Sequence, residues 1–323
     1  MSLPVLGPNM LTSVPTGTEV SRSRKVRSRF SVLSRRDKVI LAVMVGVPSL
    51  VTLVFIWLPV ILSILLSFTS WNGIGGIDKI KPVGLTNYVN LLTKYQAFWP
   101  ALEHNLLWLG FFLFVATPIG IFLAVLLDKE VRGTRFYQSV LYMPVVLSLA
   151  IVGFIWQLQY SSSQGFINNL TGHTGQDNLI DWLGNPNLNL WAIIIAAAWR
   201  HVGYITVLYL AGLKSVDPTL REAAAIDGAN QRQTFFRVVF PVMAPINVVI
   251  VVITVIESLR AFDIAYITNK GLNGLELLSV LVTNNIIGEA SLVGFGSAIG
   301  VVLLVISVGP IIVYLSRSMR DQA

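Results

Sequence analysis

Six long apolar blocks, separated by shorter polar ones, set the pattern of this chain. They lie near residues 39–68, 105–127, 138–160, 190–213, 242–268 and 293–315. Each reaches or exceeds the roughly 20 residues that a helix needs to cross about 30 Å of hydrocarbon. Lipid offers no partner to a backbone N–H or C=O, so each block is expected to be a helix that bonds within itself. Pro48, Pro59, Pro118, Pro144 and Gly203 fall inside the blocks, and membrane helices carry such residues more readily than soluble ones. The pattern predicts an all-α, polytopic membrane protein with six transmembrane helices over 39–316. A disordered basic tail over 1–38 precedes them, mixed in Pro, Gly, Ser and Thr, and a short C-terminus over 317–323 follows. The first block starts too late and runs too long for the core of a cleaved signal peptide. It is read as a retained span.

Composition agrees. Hydrophobic residues make up 54% of the 323 and charged residues 12%, where a soluble domain carries about a quarter charged. With the N-terminus inside, the cytoplasmic pieces 1–38, 128–137, 214–241 and 316–323 hold 17 Lys and Arg. The outer pieces 69–104, 161–189 and 269–292 hold 4. Basic residues favour the cytoplasmic side, so both termini are expected there. The same bias accounts for the Arg22–Lys38 cluster as an anchor to membrane lipid, and no nucleic-acid partner is expected. The chain has no cysteine, which removes disulfides and thiolate metal sites. His104, His173 and His201 lack a metal-ligand spacing, and no metal site is expected. No G-x-x-x-x-G-K-[ST] string exists to cradle nucleotide phosphates. No nucleophile–base arrangement is apparent, so the chain is not expected to be an enzyme, and any chemical energy source must sit on another polypeptide.

One polar segment between the fourth and fifth blocks is distinctive. Asp217 and Pro218 read as an N-cap and first-turn pair, Thr219 to Asp227 as a short helix, and Gly228 as its stop. Within it runs Glu222-Ala223-Ala224, then three residues, Gly228, nine residues, and Val238-Val239-Phe240-Pro241. This string resembles the cytoplasmic "EAA" loop of permease subunits in ABC importers, with Val238 and Phe240 in place of Ile and Leu. The resemblance implies the type I ABC importer permease fold and a docking helix for an ATPase, with Arg221, Glu222, Ala223, Ala224, Asp227 and Gly228 as coupling residues. It also implies a second permease subunit, two ATPase subunits carrying the ATP and Mg, an extracytoplasmic solute-binding protein, and a bacterial plasma membrane. This chain itself would need no cofactor.

Four charged residues fall inside the apolar blocks: Arg200, Glu257, Arg260 and Asp263. A charge at the centre of a membrane helix costs about 2.5–3.5 kcal/mol on insertion scales, so such residues normally face a bundle interior or a water-filled path. Glu257 and Arg260 are three apart and share a helical face; they could neutralise each other or bind a solute. Arg200, His201 and Tyr204 share a face of the fourth span. Strings before and after the coupling loop, Leu210–Val216 and Ala261–Thr268, resemble those of carbohydrate-type permeases. In that register, sugar-contact positions fall on Ala197, Arg200, His201, Tyr204, Ile253, Ile256, Glu257 and Arg260. Carboxylates and guanidinium groups suit hydroxyls, and aromatic rings suit the C–H faces of a sugar.

In the first outer loop, Gly84-Leu85-Thr86-Asn87-Tyr88 resembles an element that precedes an outer amphipathic helix, expected here over 88–99. Gly296 and Gly300 have the spacing of close helix packing in lipid. The expected function is sugar translocation in an ATP-driven importer. Two alternatives are an ABC permease for glycerol phosphate or a polyamine, and an ion-coupled secondary transporter, which predicts inverted repeats and broken half-helices.

The topology has a direct check. Because the chain lacks cysteine, single cysteines at Thr134 and Ser318 are expected to react only from the cytoplasmic side, and those at Ser162 and Asn273 only from outside. Labelling of Ser162→Cys from the cytoplasm would contradict the six-span arrangement.

Overall fold

The computed structural model describes residues 34–129, 132–175, 177–288 and 291–320. Most of the tail expected over 1–38 and the last three residues lie outside the described residues. Contacts divide the chain into one part ending at Trp57 and a second starting at Leu58. The first contains helix α1, Arg35–Thr52, followed by a π turn at Leu53–Trp57. Ser34 caps α1: the Asp37 N–H donates to its Oγ at 3.2 Å, and the Ser34 N–H donates to the Asp37 carboxylate at 3.2 Å. This reciprocal pair satisfies two N-terminal groups that a helix leaves open. The large apolar side chains from Val39 to Leu53 are exposed, as a lipid-facing helix requires.

The second part begins with α2 (Leu58–Leu66). The outer segment that follows is pinned by Asn87, whose amide donates to the carbonyls of Ser67 and Thr69 at 2.8 Å each. The outer helix expected over 88–99 is instead two elements, α3 (Thr86–Thr93) and the start of α4 (Phe98–Asp128). The α4 helix begins seven residues before its apolar block because Phe98 and Ala101 are buried against Leu91, Leu278, Leu281 and Ile299. Packing, rather than hydropathy, sets that end. A π turn at Phe112–Ala116 interrupts α4.

The third apolar block is broken. Helices α5 (Thr134–Val146) and α6 (Leu149–Gln159) meet at 102°. Pro144 lies in the last turn of α5, Leu147 is extended, and Ser148 starts α6 by accepting the Ile151 N–H at 3.3 Å. A short helix, α7 (Phe166–Leu170), precedes α8 (Asn189–Ser215), which matches the fourth block. Next come α9 (Pro218–Ile226) and α10 (Gln231–Val242). The fifth block is α11 (Ala244–Leu259) with α12 (Asp263–Asn269); this stretch meets α10 at 77°. Pro241 and Pro245 flank that bend, and the Asn247 amide donates to the Phe240 carbonyl at 3.0 Å. Helices α13 (Leu278–Ile286) and α14 (Val293–Arg320) complete the described residues. Among the described residues, four stretches can cross a membrane by length and composition, and six if each bent pair counts as one span.

The core is built by close helix contacts. The Thr206 hydroxyl on α8 donates to the Gly120 carbonyl on α4 at 3.2 Å. A Cβ on Gly120 would come within 2.8 Å of the Ile205 side chain, and one on Gly203 would strike the Leu141 carbonyl of α5. Of the two spaced glycines in the last span, Gly296 lies tight against Ile286 of α13, while Gly300 meets only ordinary contact at 3.9 Å. Gly203→Leu is therefore expected to destabilise the protein by about 1–3 kcal/mol or more through overpacking, and Gly300→Ala to be near neutral. Thermal unfolding of the detergent-solubilised protein measures both. Equal melting of the two variants would contradict this packing.

Candidate functional site

A cavity of about 220 Å³ opens where α4, α6, α8 and α11 approach one another. Its charged groups come from the middle of α8, the C-terminal end of α11, the C-cap Arg260 and the first residue of α12, Asp263. Glu257 sits one turn from the end of α11 and is held from α8 by one hydrogen bond and one ion pair. His201 Nδ1 lies 3.1 Å from its Oε2, and Arg200 Nη1 lies 3.7 Å from its Oε1. A carboxylate needs a donor at Nδ1, so in the neutral ring Nε2 is the acceptor. The Thr117 hydroxyl of α4 and the Thr254 hydroxyl of α11 lie 3.3 and 3.4 Å from it. His201 is only 1% exposed and its ring packs on Phe112 at 4.4 Å between centroids. The histidine is thus fixed on every side and orients Glu257 from behind.

The broken helices serve this cavity. Breaking the third block at Leu147 frees that carbonyl, and the Arg200 Nε–H donates to it at 3.3 Å. Non-helical backbone at membrane depth is tolerated where protein groups satisfy it or where it lines a polar space. The α11–α12 junction does the latter: Arg260, Ala261 and Phe262 are not helical, and all three line the cavity together with Asp263.

The structure gathers five of the eight expected sugar-contact positions on the cavity wall: Ala197, Arg200, Ile256, Glu257 and Arg260. His201 stands directly behind them. Tyr204 packs instead into a neighbouring apolar cluster around Ile205 and Tyr209, and Ile253 lies half-buried on α11 away from the cavity wall. The carboxylate of Glu257 pairs with Arg200 and His201, whereas Arg260 forms no ion pair among the described residues. The three-residue spacing of Glu257 and Arg260 assumed a helix through both. The helix ends at Leu259, and Arg260 is its exposed C-cap. Sequence reading missed Trp108, Phe112 and Phe262, the rings of the wall, and the threonines Thr117 and Thr254. The i, i+4 spacing of Trp108 and Phe112 was the available signal.

The segment expected to dock an ATPase forms α9. Asp217 caps it, accepting the Thr219 N–H at 2.9 Å, and this hydrogen bond holds its carboxyl below the ordinary aspartate range. Gly228 ends it with φ +77°, a conformation that costs other residues more. Ala224 is buried while Glu222, Ala223 and Asp227 are exposed. Ile226, which the sequence did not single out, is 86% exposed beside them. Arg221 points the other way: its Nη1 donates to the Asp128 carboxylate at 2.7 Å and its Nη2 to the Leu213 carbonyl at 3.3 Å.

Residues 116–321 match the family described as the binding-protein-dependent transport system inner membrane component. The chain is 32% identical to the xylose/arabinose import permease protein XacH of Haloferax volcanii, over 77% of this chain and 78% of that protein. It is 30% identical to the trehalose/maltose transport system permease protein MalF of Thermococcus litoralis, over 84% and 91%. The crystal structure of a bacterial ABC transporter involved in the import of the acidic polysaccharide alginate contains a chain of the same fold. Its TM-score is 0.73 at 23% identity, covering 88% of this chain and 96% of that one.

Proposed function

Because this chain belongs to the binding-protein-dependent transport system inner membrane component family, we propose that its central cavity is the point through which a sugar crosses the membrane. The chain is a translocation subunit and not an enzyme; ATP hydrolysis belongs to a separate subunit. The observation that carries the cargo site is the cavity wall itself. It combines Arg200, Glu257, Arg260 and Asp263 with the rings of Trp108, Phe112 and Phe262. The formal charges of the side chains on the wall balance, two arginines against two carboxylates. A balanced wall suits a neutral polyol better than a phosphate ester or a polyamine, each of which favours an excess of one sign. The sugar permeases among its relatives support the same reading.

In this reading the chain pairs with a second permease subunit and docks an ATPase subunit on the cytoplasmic face through Glu222, Ala223, Ile226 and Asp227. A solute-binding protein delivers the sugar to the opposite face. Glu257 joins α11 to α8, so a relative shift of those helices would make or break its contacts with Arg200 and His201. Such a contact gives a bound ligand something to discriminate between two states, which any switch requires. Broken helices are what an ion-coupled transporter would also show; two occur among the described residues, so they do not separate the two readings, and the family match does.

The test is uptake by the assembled transporter at matched membrane abundance. Glu257→Gln keeps the side-chain shape and Arg260→Met keeps the stem, yet each removes a charged hydrogen-bonding group worth about 1.5–3 kcal/mol. Each is expected to reduce uptake about tenfold or more, with the affinity of the solute-binding protein for its sugar unchanged. Glu222→Lys is expected to abolish uptake by weakening ATPase docking. Full uptake in both cavity variants, with the Glu222 variant dead, would move the sugar site elsewhere while leaving the permease assignment intact.

A further inference from the structure

Behind the exposed face of α9 lies a second ionic cluster, at the other end of the helix stretch that braces the cavity. The Asp128 side chain is 10% exposed and accepts from two sides. Arg221 Nη1 reaches Oδ2 at 2.7 Å from α9, and Lys214 Nζ lies 3.3 Å from Oδ1 at the end of α8. Arg221 also ties itself to the Leu213 carbonyl of α8. One carboxylate therefore joins the ends of α4 and α8 to the coupling helix. Next to it, the Lys129 ammonium donates to the Gln231 side chain of α10 at 3.0 Å.

The position of Asp128 on α4 gives the cluster its meaning. After the π turn, Thr117–Asp128 is a regular helix. Its last residue holds α9. Its first residue, Thr117, touches His201 and Thr254 at the cavity. The two are eleven residues apart, about 16 Å along a helix axis. Between them α4 lies against α8 through Gly120, where no side chain fits and Thr206 bonds the carbonyl. A helix packed this closely resists bending, because interiors at this density transmit displacement rather than absorb it.

We propose that the Asp128–Arg221 ion pair is the latch through which movement of the coupling helix reaches the cavity, with Thr117–Asp128 as the strut. Arg221 is then a positioning residue that acts inside the chain, and the outward face of Glu222, Ala223, Ile226 and Asp227 is left for the ATPase. The proposal rests on the reading that α9 docks on an ATPase.

The experiment uses the assembled transporter in proteoliposomes and measures three quantities on each preparation: ATPase subunits retained, ATP turnover, and sugar uptake per ATP hydrolysed. Asp128→Asn and Arg221→Gln are expected to keep the ATPase subunits and ATP turnover. Their uptake per ATP is expected to fall about tenfold or more, the scale of one lost charged hydrogen bond. The wild-type chain has no cysteine, so within this chain only the pair Asp128→Cys with Arg221→Cys can be bridged by a short, reducible bis-methanethiosulfonate linker. Bridging is expected to restore uptake per ATP, and reduction to remove it again. A purely structural loss would not respond to the linker. Unchanged uptake per ATP in both single variants would overturn the latch, as would failure of the bridged pair to recover. Loss of ATPase subunits from Asp128→Asn would also overturn it, because the carboxylate would then act through docking. Loss of ATPase subunits from Glu222→Lys alone leaves the latch standing and supports the docking on which it rests.

Discussion

The carboxylate of Glu257 is the constraint on which the central part of this structure depends. A charge inside the hydrocarbon layer costs several kcal/mol unless it meets partners or water. Glu257 meets both: Arg200 and His201 on one side, and an open cavity on the other, with its side chain 32% exposed. Holding His201 in place then requires Thr117 on α4, Thr254 on α11 and the ring of Phe112. Holding Arg200 uses the carbonyl that the break after Pro144 releases at Leu147. Three helices and one helix break thus answer to a single carboxylate. Replacing only one member of such a cluster leaves the others buried and underpaired, which is why partner removal costs more than the pair itself contributes.

Much of the architecture was legible in the pattern of the chain, and its limits have physical causes. Hydropathy located all six apolar blocks, because lipid demands apolar side chains over a fixed thickness. It could not locate ends set by burial: Phe98 and Ala101 extend α4 beyond its apolar block by packing on Leu91, Leu278 and Ile299. Nor could it see the breaks. Pro144 was visible and noted as tolerable, but whether a proline kinks or divides a helix depends on what accepts the freed carbonyl, here Arg200 from a distant segment. The α9 helix was read almost to the residue from Asp217, Pro218 and Gly228, because caps are local chemistry.

The candidate site divides along the same line. Charges inside apolar blocks drew attention to Arg200, Glu257 and Arg260, and the structure gathers them at one cavity. Their pairing was not legible. Helical spacing joined Glu257 to Arg260, yet the helix ends between them and the carboxylate turns to α8. Tyr204 shares a helical face with Arg200 by spacing, but its side chain packs toward Ile205 and Tyr209. Arg221, read as part of the docking motif, turns inward to Asp128 instead, and Ile226 holds the exposed place beside Glu222. Sequence located the helices on which these residues lie; which way each side chain faces was decided by contacts between segments far apart in the chain.

The central claim is that the cavity beside Glu257 is the path of the cargo, and accessibility of its wall tests this most directly. Ile256 is 41% exposed on the cavity wall, and Val249 is 44% exposed on the same helix away from it. With each replaced by cysteine in the otherwise cysteine-free chain, the assembled transporter in proteoliposomes is treated with a water-soluble maleimide, with and without ATP and sugar-loaded solute-binding protein. The account predicts that cargo and ATP change the labelling rate at Ile256→Cys several-fold and leave Val249→Cys unaffected. An Ile256→Cys rate indifferent to cargo and ATP, in a variant that still transports, would contradict it.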